Sequence, residues 1–126
     1  MTVICDYCQR PAALVSGTDV YPHRPDLNTL KFWKCAGCKA WVGCHKNSAD
    51  HAPLGRLADA KLRAAKSAAH AAFDPLWKSG EFSRSGAYSW LAARLGIAGD
   101  KCHIGMFDLA TCSRVVNVVS ERKEAA

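Results

Sequence analysis

Two C-x2-C pairs, Cys5-Asp-Tyr-Cys8 and Cys35-Ala-Gly-Cys38, constrain this chain more than any other feature of its sequence. Two residues between paired cysteines let the backbone turn as a knuckle that aims both sulfurs at one point. Two knuckles complete a tetrahedron of thiolates, the donor set that selects zinc. Such a site is closed, so the expected cofactor is one structural Zn2+ held by Cys5, Cys8, Cys35 and Cys38, which folds a segment too short to build its own core. The alternative is two unrelated pairs of buried thiols. The 26-residue gap between the pairs exceeds the commonest ribbon spacing and leaves room for a hairpin and a proline-containing loop.

The remaining pattern fills in a small α+β protein. At 126 residues the chain has room for one compact domain, or a small domain fused to a helical extension. Ala12 to Val15 and Val20-Tyr21, flanking the turn signal Ser16-Gly17-Thr18-Asp19, predict a first hairpin. Leu30 to Lys34 and Ala40 to Gly43, flanking the second cysteine turn, predict another.

From Pro53 the composition changes, with nine alanines between Ala52 and Ala72 and apolar residues at helical spacing from Leu54 to Leu76. A long helix is expected from Pro53 to about Phe73, where Asp74-Pro75 ends or kinks it. A second helix is expected from about Ser85 to Leu95, capped by Ser83 or Ser85 and by Gly96. A third begins at Asp108, with Leu109, Cys112, Val115, Val116 and Val119 on its buried side, although Val115 to Val119 is β-branched enough to form a strand. Ser120 to Ala126 reads as a polar tail. The expected architecture is an N-terminal four-cysteine zinc ribbon of short antiparallel strands, residues 1–50. It packs as one compact unit on about three C-terminal α-helices, residues 51–126.

The chain carries 17 Lys and Arg against 11 Asp and Glu, a formal net charge of +6. Residues 31–66 hold eight bases and two acids, so the whole excess falls there. On a helix starting at Pro53, Arg56, Asp59, Arg63, Lys66 and His70 would share one side, either a solvated face or a phosphate-contacting one. Lys31, Lys34, Lys39 and Lys46 interleave with Phe32, Trp33 and Trp41, so lysines could hold a nucleic-acid backbone while Trp33 or Trp41 stacks on bases. Some of this charge also has a bland role. Zinc with four thiolates is formally −2, and Arg10, Lys34 and Lys39 lie close to ligands. Trp77 and Tyr88 read as packing residues, and Trp90, opposite Leu91, as a possible exposed anchor.

Several classes are disfavoured. No apolar stretch reaches the ~18 residues that span a bilayer, and the N-terminus shows no secretory pattern, so a cytoplasmic protein without membrane association is expected. In a reducing compartment seven cysteines point to metal rather than disulfides. Cys44, His45 and His51, and likewise Cys102, His103 and Cys112, lack a complete four-ligand pattern, leaving open whether they form a second site or are structural. No nucleophile elbow, phosphate-binding loop, zincin or deaminase motif is present, so no enzymatic activity is expected.

Cys5-x2-Cys8 is followed by Phe32-Trp33-Lys34-Cys35-x2-Cys38-x2-Trp41-Val42-Gly43-Cys44-His45 and then Pro53-Leu54-Gly55-Arg56-Leu57-Ala58. Ala69-His70, Phe73-Asp74-Pro75-Leu76-Trp77, Ala87-Tyr88-x-Trp90-Leu91 and Cys102-His103-Ile104-Gly105 complete the series. Across nearly its whole length the chain thereby resembles zinc-finger-containing proteins of unknown function found in bacteriophages and prophages. The resemblance implies metal at Cys5, Cys8, Cys35 and Cys38 and a phage origin, hence the host-cell cytoplasm, and carries no established activity.

The expected function is non-enzymatic: an accessory or regulatory protein that binds DNA or RNA through Lys31, Lys34, Lys39, Lys46, Arg56, Arg63 and Lys66. The alternative is a phage protein that inhibits or redirects an acidic or nucleic-acid-binding host complex, such as a polymerase or defence effector. A zinc-assisted hydrolase is a distant third. The oligomeric state is not legible in the sequence.

Overall fold

The computed structural model describes residues 1–125, which form two compact units, Met1–Ala60 and Lys61 onward. The architecture is α+β: a three-stranded antiparallel sheet with the four cysteines, followed by four helices.

The sheet consists of β1 (Ala13–Ser16), β2 (Lys31–Lys34) and β3 (Trp41–Gly43), in that order. β2 is central, with Leu14 opposite Trp33, Val15 opposite Phe32, and Trp33 opposite Val42. Successive strand residues face opposite sides, and here both sides are covered. Trp33 joins Cys5, Cys35, Ala40 and Leu57 in a buried cluster. Phe32 meets Tyr21 and Trp41 edge to face, with ring centroids 5.8 and 5.5 Å away.

β1 therefore takes β2 as its partner, and the expected pairing with Val20-Tyr21 does not form. Residues Gly17–Val20 instead make a single helical turn, α1. The chain reverses there because the Gly17 N–H donates to Leu30 O at 2.8 Å and Tyr21 N–H to Gly17 O at 2.7 Å. A Cβ on Gly17 would lie 1.7 Å from Leu27 O, so only glycine fits this crossing.

The helix expected from Pro53 begins at Ala60. Residues 53–58 instead run beside β3 with bends at 54–56: Trp41 and Ala58 exchange both backbone hydrogen bonds at 3.0 Å, and Leu54 N–H donates to Gly43 O at 2.9 Å. Edge-strand hydrogen bonding outcompetes a helical periodicity that was real in the sequence.

Between Cys44 and Pro53 the chain makes an ordered loop. Its ends join through the Cys44–Pro53 bridge and a 2.8 Å bond from His45 N–H to Ala52 O, and the Trp33 Nε1–H donates to His51 O at 2.7 Å. Trp33→Phe removes that donor and leaves a half-buried carbonyl unsatisfied, costing about 1–2 kcal/mol. The expected result is a roughly tenfold faster hydrogen exchange at the His45 amide; unchanged exchange would show that the bond does not hold the loop.

The second unit contains α2 (Ala60–Phe73) from its second residue onward, α3 (Pro75–Lys78), α4 (Arg84–Leu95) and α5 (Leu109–Ala125). Alanine, leucine and lysine give α2 its propensity, and Pro75 breaks it after Phe73 as the sequence implied. The caps of α4 are as expected: the Ser83 hydroxyl accepts from Gly86 N–H at 3.0 Å, and Gly96 takes the left-handed conformation at φ 71°. Asp108 caps α5 through Thr111 N–H at 2.8 Å.

Phe73, Leu91, Ile104, Val115 and Val119 are buried in this unit, and Phe73 packs on Tyr88 with centroids 4.6 Å apart. Leu109 is exposed and Val116 half-buried, so the inner face of α5 is Cys112, Val115, Val118 and Val119. The expected tail continues as helix to Ala125, helped by ion pairs from Arg94 to Glu121 and Arg122 to Glu81. No described helix is long and apolar enough to cross a membrane.

Candidate metal centre

The two cysteine knuckles share one local structure. In the first, Cys5 N–H donates to Arg10 O at 2.9 Å and Gln9 N–H to Cys5 O at 2.8 Å; in the second, Cys35 N–H donates to Ala40 O at 2.9 Å and Lys39 N–H to Cys35 O at 2.8 Å. Gln9 and Lys39 both take the left-handed conformation, φ 63° and 58°, which closes each turn. That two non-glycine residues adopt it at equivalent places follows from the knuckle geometry, at a cost of about 1 kcal/mol each.

These turns bring the sulfurs of Cys5, Cys8, Cys35 and Cys38 within 4.8 Å of one another. Cys8 Sγ and Cys35 Sγ are 3.6 Å apart, too far for a disulfide and close to the roughly 3.8 Å edge that Zn–S bonds of about 2.3 Å give a tetrahedron. Cys5 and Cys35 are buried and Cys8 and Cys38 half-buried. The donor set and its spacing thus fit a four-thiolate zinc ion. Among the described residues no second grouping of this kind occurs. Cys44 does not join His45 and His51, and Cys102 and Cys112 are buried as small apolar groups. Burial raises the thiol pKa of Cys44 and of Cys102, which keeps both in the neutral form.

Electrostatics within the cluster are uneven. The Cys38 backbone N–H holds the Cys35 thiol down at about 7, whereas the hydrogen bond to Cys8 pushes Cys38 up to about 12.

Arg56 lies beside this centre rather than on a helix. Its guanidinium stands 3.4 Å from Asp6 and 5.7 Å from the centroid of the Tyr7 ring, and the Tyr7 hydroxyl accepts from Asp59 N–H at 3.1 Å. Residues 56–59 therefore clamp the two residues between Cys5 and Cys8. Nothing in the spacing of Arg56 announced this role, because the segment follows the edge of β3.

The other basic candidates are dispersed. Lys31, Lys39 and Lys46 are exposed in the N-terminal unit, while Lys34 pairs with Asp19 at 3.3 Å. Arg63 and Lys66 lie on α2, where Lys66 Nζ donates to Gly105 O at 2.6 Å and is thus engaged within its own unit. Trp33 is 8% exposed and hydrogen-bonded, so it is a core residue and not a stacking surface. Trp41 is half-buried, held edge-on by Tyr21 and Phe32.

The sequence profile of a zinc-finger-containing domain matches residues 1–122. No curated protein and no solved structure matches the chain significantly. With four clustered thiols in two like knuckles, and a profile match over almost its whole length, the chain belongs to the zinc-finger-containing domain family.

Proposed function

We propose that this is a non-enzymatic zinc protein that binds nucleic acid through exposed lysines of its N-terminal unit. One observation carries the reading: the acids there are locally engaged while three lysines are not. Asp6 faces Arg56, Asp19 faces Lys34, Asp26 pairs with Arg24, and Asp50 accepts from the Ser48 hydroxyl. Lys31, Lys39 and Lys46 are exposed and make no ion pair with a described residue. Even after the formal −2 of a zinc tetrathiolate is set against the formal +6, the loaded chain stays cationic. Lysines presented on an ordered scaffold are the elements of a phosphate-contacting surface. Arg56 and Lys66 contribute less to this reading than their charge alone would indicate, since both are occupied at home.

Affinity for an oligonucleotide is expected to fall steeply with salt. Replacing Lys31, Lys39 or Lys46 singly by alanine should lower the slope of log K against log salt by about 1 each. Absence of binding at low salt, or a slope near zero, overturns the proposal.

A second reading, in which a phage protein occupies a host complex, finds support in the helical unit. Arg84 lies over the rings of Trp77 and Tyr88, and Arg122 over those of Phe82 and Trp90. Trp, Tyr and Arg are the residues that dominate protein interfaces. Partner capture that survives nuclease treatment and is lost on Trp90→Ala favours this reading; capture lost with nuclease favours the first.

A further inference from the structure

A cleft opens in the N-terminal unit between the start of β2 and the loop that follows β3. Its volume is about 360 Å³, at the lower end of the roughly 300–1,000 Å³ typical of small-ligand clefts. Leu30 and Leu54 form apolar walls and are 46% and 55% exposed, although neither lies on the sheet. Phe32 and Gly43 line the floor. A Cβ at residue 43 would meet Leu54 Cδ1 at 3.4 Å and Phe32 Cε1 at 3.8 Å, ordinary contact distances, so residue 43 lies directly against both of these lining side chains.

The mouth has the opposite character. Lys31 and Lys46 line it, with His45 and His51 beside them, and no acidic side chain is among its described lining residues. Thr29 and Asn47 add hydrogen-bonding groups. The loop wall is preformed. The Ser48 hydroxyl accepts from Ala52 N–H at 2.9 Å, Trp33 anchors His51 at 2.7 Å, and Asn47 and His51 both sit in the left-handed region. Its shape therefore does not have to be ordered at the moment of binding, which removes a cost that flexible sites bear.

An apolar slot lined by hydrogen-bonding groups and two lysines suits a planar base joined to anionic phosphates. A base stacked and paired in a duplex cannot enter such a slot, whereas an unpaired base can turn into it. We propose that this cleft takes an unpaired base of single-stranded nucleic acid, with Lys31 and Lys46 on the flanking phosphates. The inference rests on the nucleic-acid reading above and gives it a ligand class and a specificity: single strand over duplex.

The test is fluorescence anisotropy of the zinc-loaded full chain with labelled single-stranded DNA, single-stranded RNA and the duplex of the same sequence, at low salt. The expected result is at least tenfold tighter binding of one or both single strands than of the duplex. Leu54→Asp should reduce single-strand affinity by about tenfold or more, and by clearly more than its added charge reduces duplex affinity. Leu54 is exposed, so the variant should keep its metal, which zinc analysis verifies. Lys46→Glu should weaken single-strand binding beyond the loss produced by Lys39→Glu, a substitution outside the cleft. Equal affinity for single strand and duplex, or single-strand binding indifferent to Leu54→Asp, overturns the cleft proposal and leaves the nucleic-acid reading standing. Failure of every oligonucleotide to bind overturns both.

Discussion

Replacing Cys35 with serine is expected to abolish metal binding and unfold the N-terminal unit, while the helical unit keeps its secondary structure. The hydroxyl of serine does not ionise near neutral pH, so the tetrahedron loses a ligand instead of exchanging one. The consequence is large because the ligands are also the core. Of the five residues in the buried cluster, Cys5 and Cys35 belong to the four-thiol group, and Trp33, Ala40 and Leu57 pack with them. The strands contribute three or four residues each, too few to bury a core of their own. Apparent binding free energies of structural zinc are roughly 10–16 kcal/mol, and in small ribbons that is the folding free energy.

Metal analysis together with amide NMR dispersion over residues 1–60 reads the result. The second unit has its own buried set, Phe73, Leu91, Ile104, Val115 and Val119, and its helical signal should persist. A Cys44→Ser protein provides the contrast. Cys44 stands outside the ligand cluster, so that variant should retain its metal. A Cys35→Ser protein that stays folded over residues 1–60 without metal would sink the structural role assigned to the centre.

The parts of this fold legible in the sequence are those set by local chemistry. A C-x2-C pair forms a knuckle wherever it lies, and Ser83, Gly96 and Asp108 cap helices through bonds made within a few residues. What the sequence hid was decided at a distance. Leu54, Ala58 and Leu62 keep a helical period, yet the backbone of Leu54 and Ala58 bonds to β3, and the helix starts only at Ala60. The expected stripe of Arg56, Arg63 and Lys66 dissolves with that change, since Arg56 turns to Asp6 and Tyr7 while the other two remain on α2.

The aromatics show the same limit. Phe32, Trp33 and Trp41 alternate with lysines as a base-stacking surface would, but β2 is the middle strand. Being covered on both faces, it places Phe32 and Trp33 in two different packed layers. Period alone cannot say whether one or both faces of a strand are buried. The cleft was illegible for a related reason. Leu30, Gly43 and Leu54 are unremarkable in sequence and acquire meaning only when residues 53–58 fold back along β3.

Zinc affinity is expected to climb steeply with pH, by about a thousandfold or more per pH unit through the slightly acidic range. The sign follows from the ligands: zinc takes four thiolates, whereas a free thiol, with a pKa of about 8.5, is mostly protonated in that range. With the metal-free unit unfolded, loading must expel nearly one proton per ligand, about four at and below neutral pH. Calorimetric titration of the metal-free protein with zinc, repeated in buffers of different ionisation enthalpy, counts them directly. Release of one proton or fewer would mean that the ion does not bind four thiolates, and Cys5, Cys8, Cys35 and Cys38 would then be a cluster of buried thiols and no metal site. Release of three or four, lost together with metal in Cys35→Ser, would tie the charge of the site to the fold that creates it.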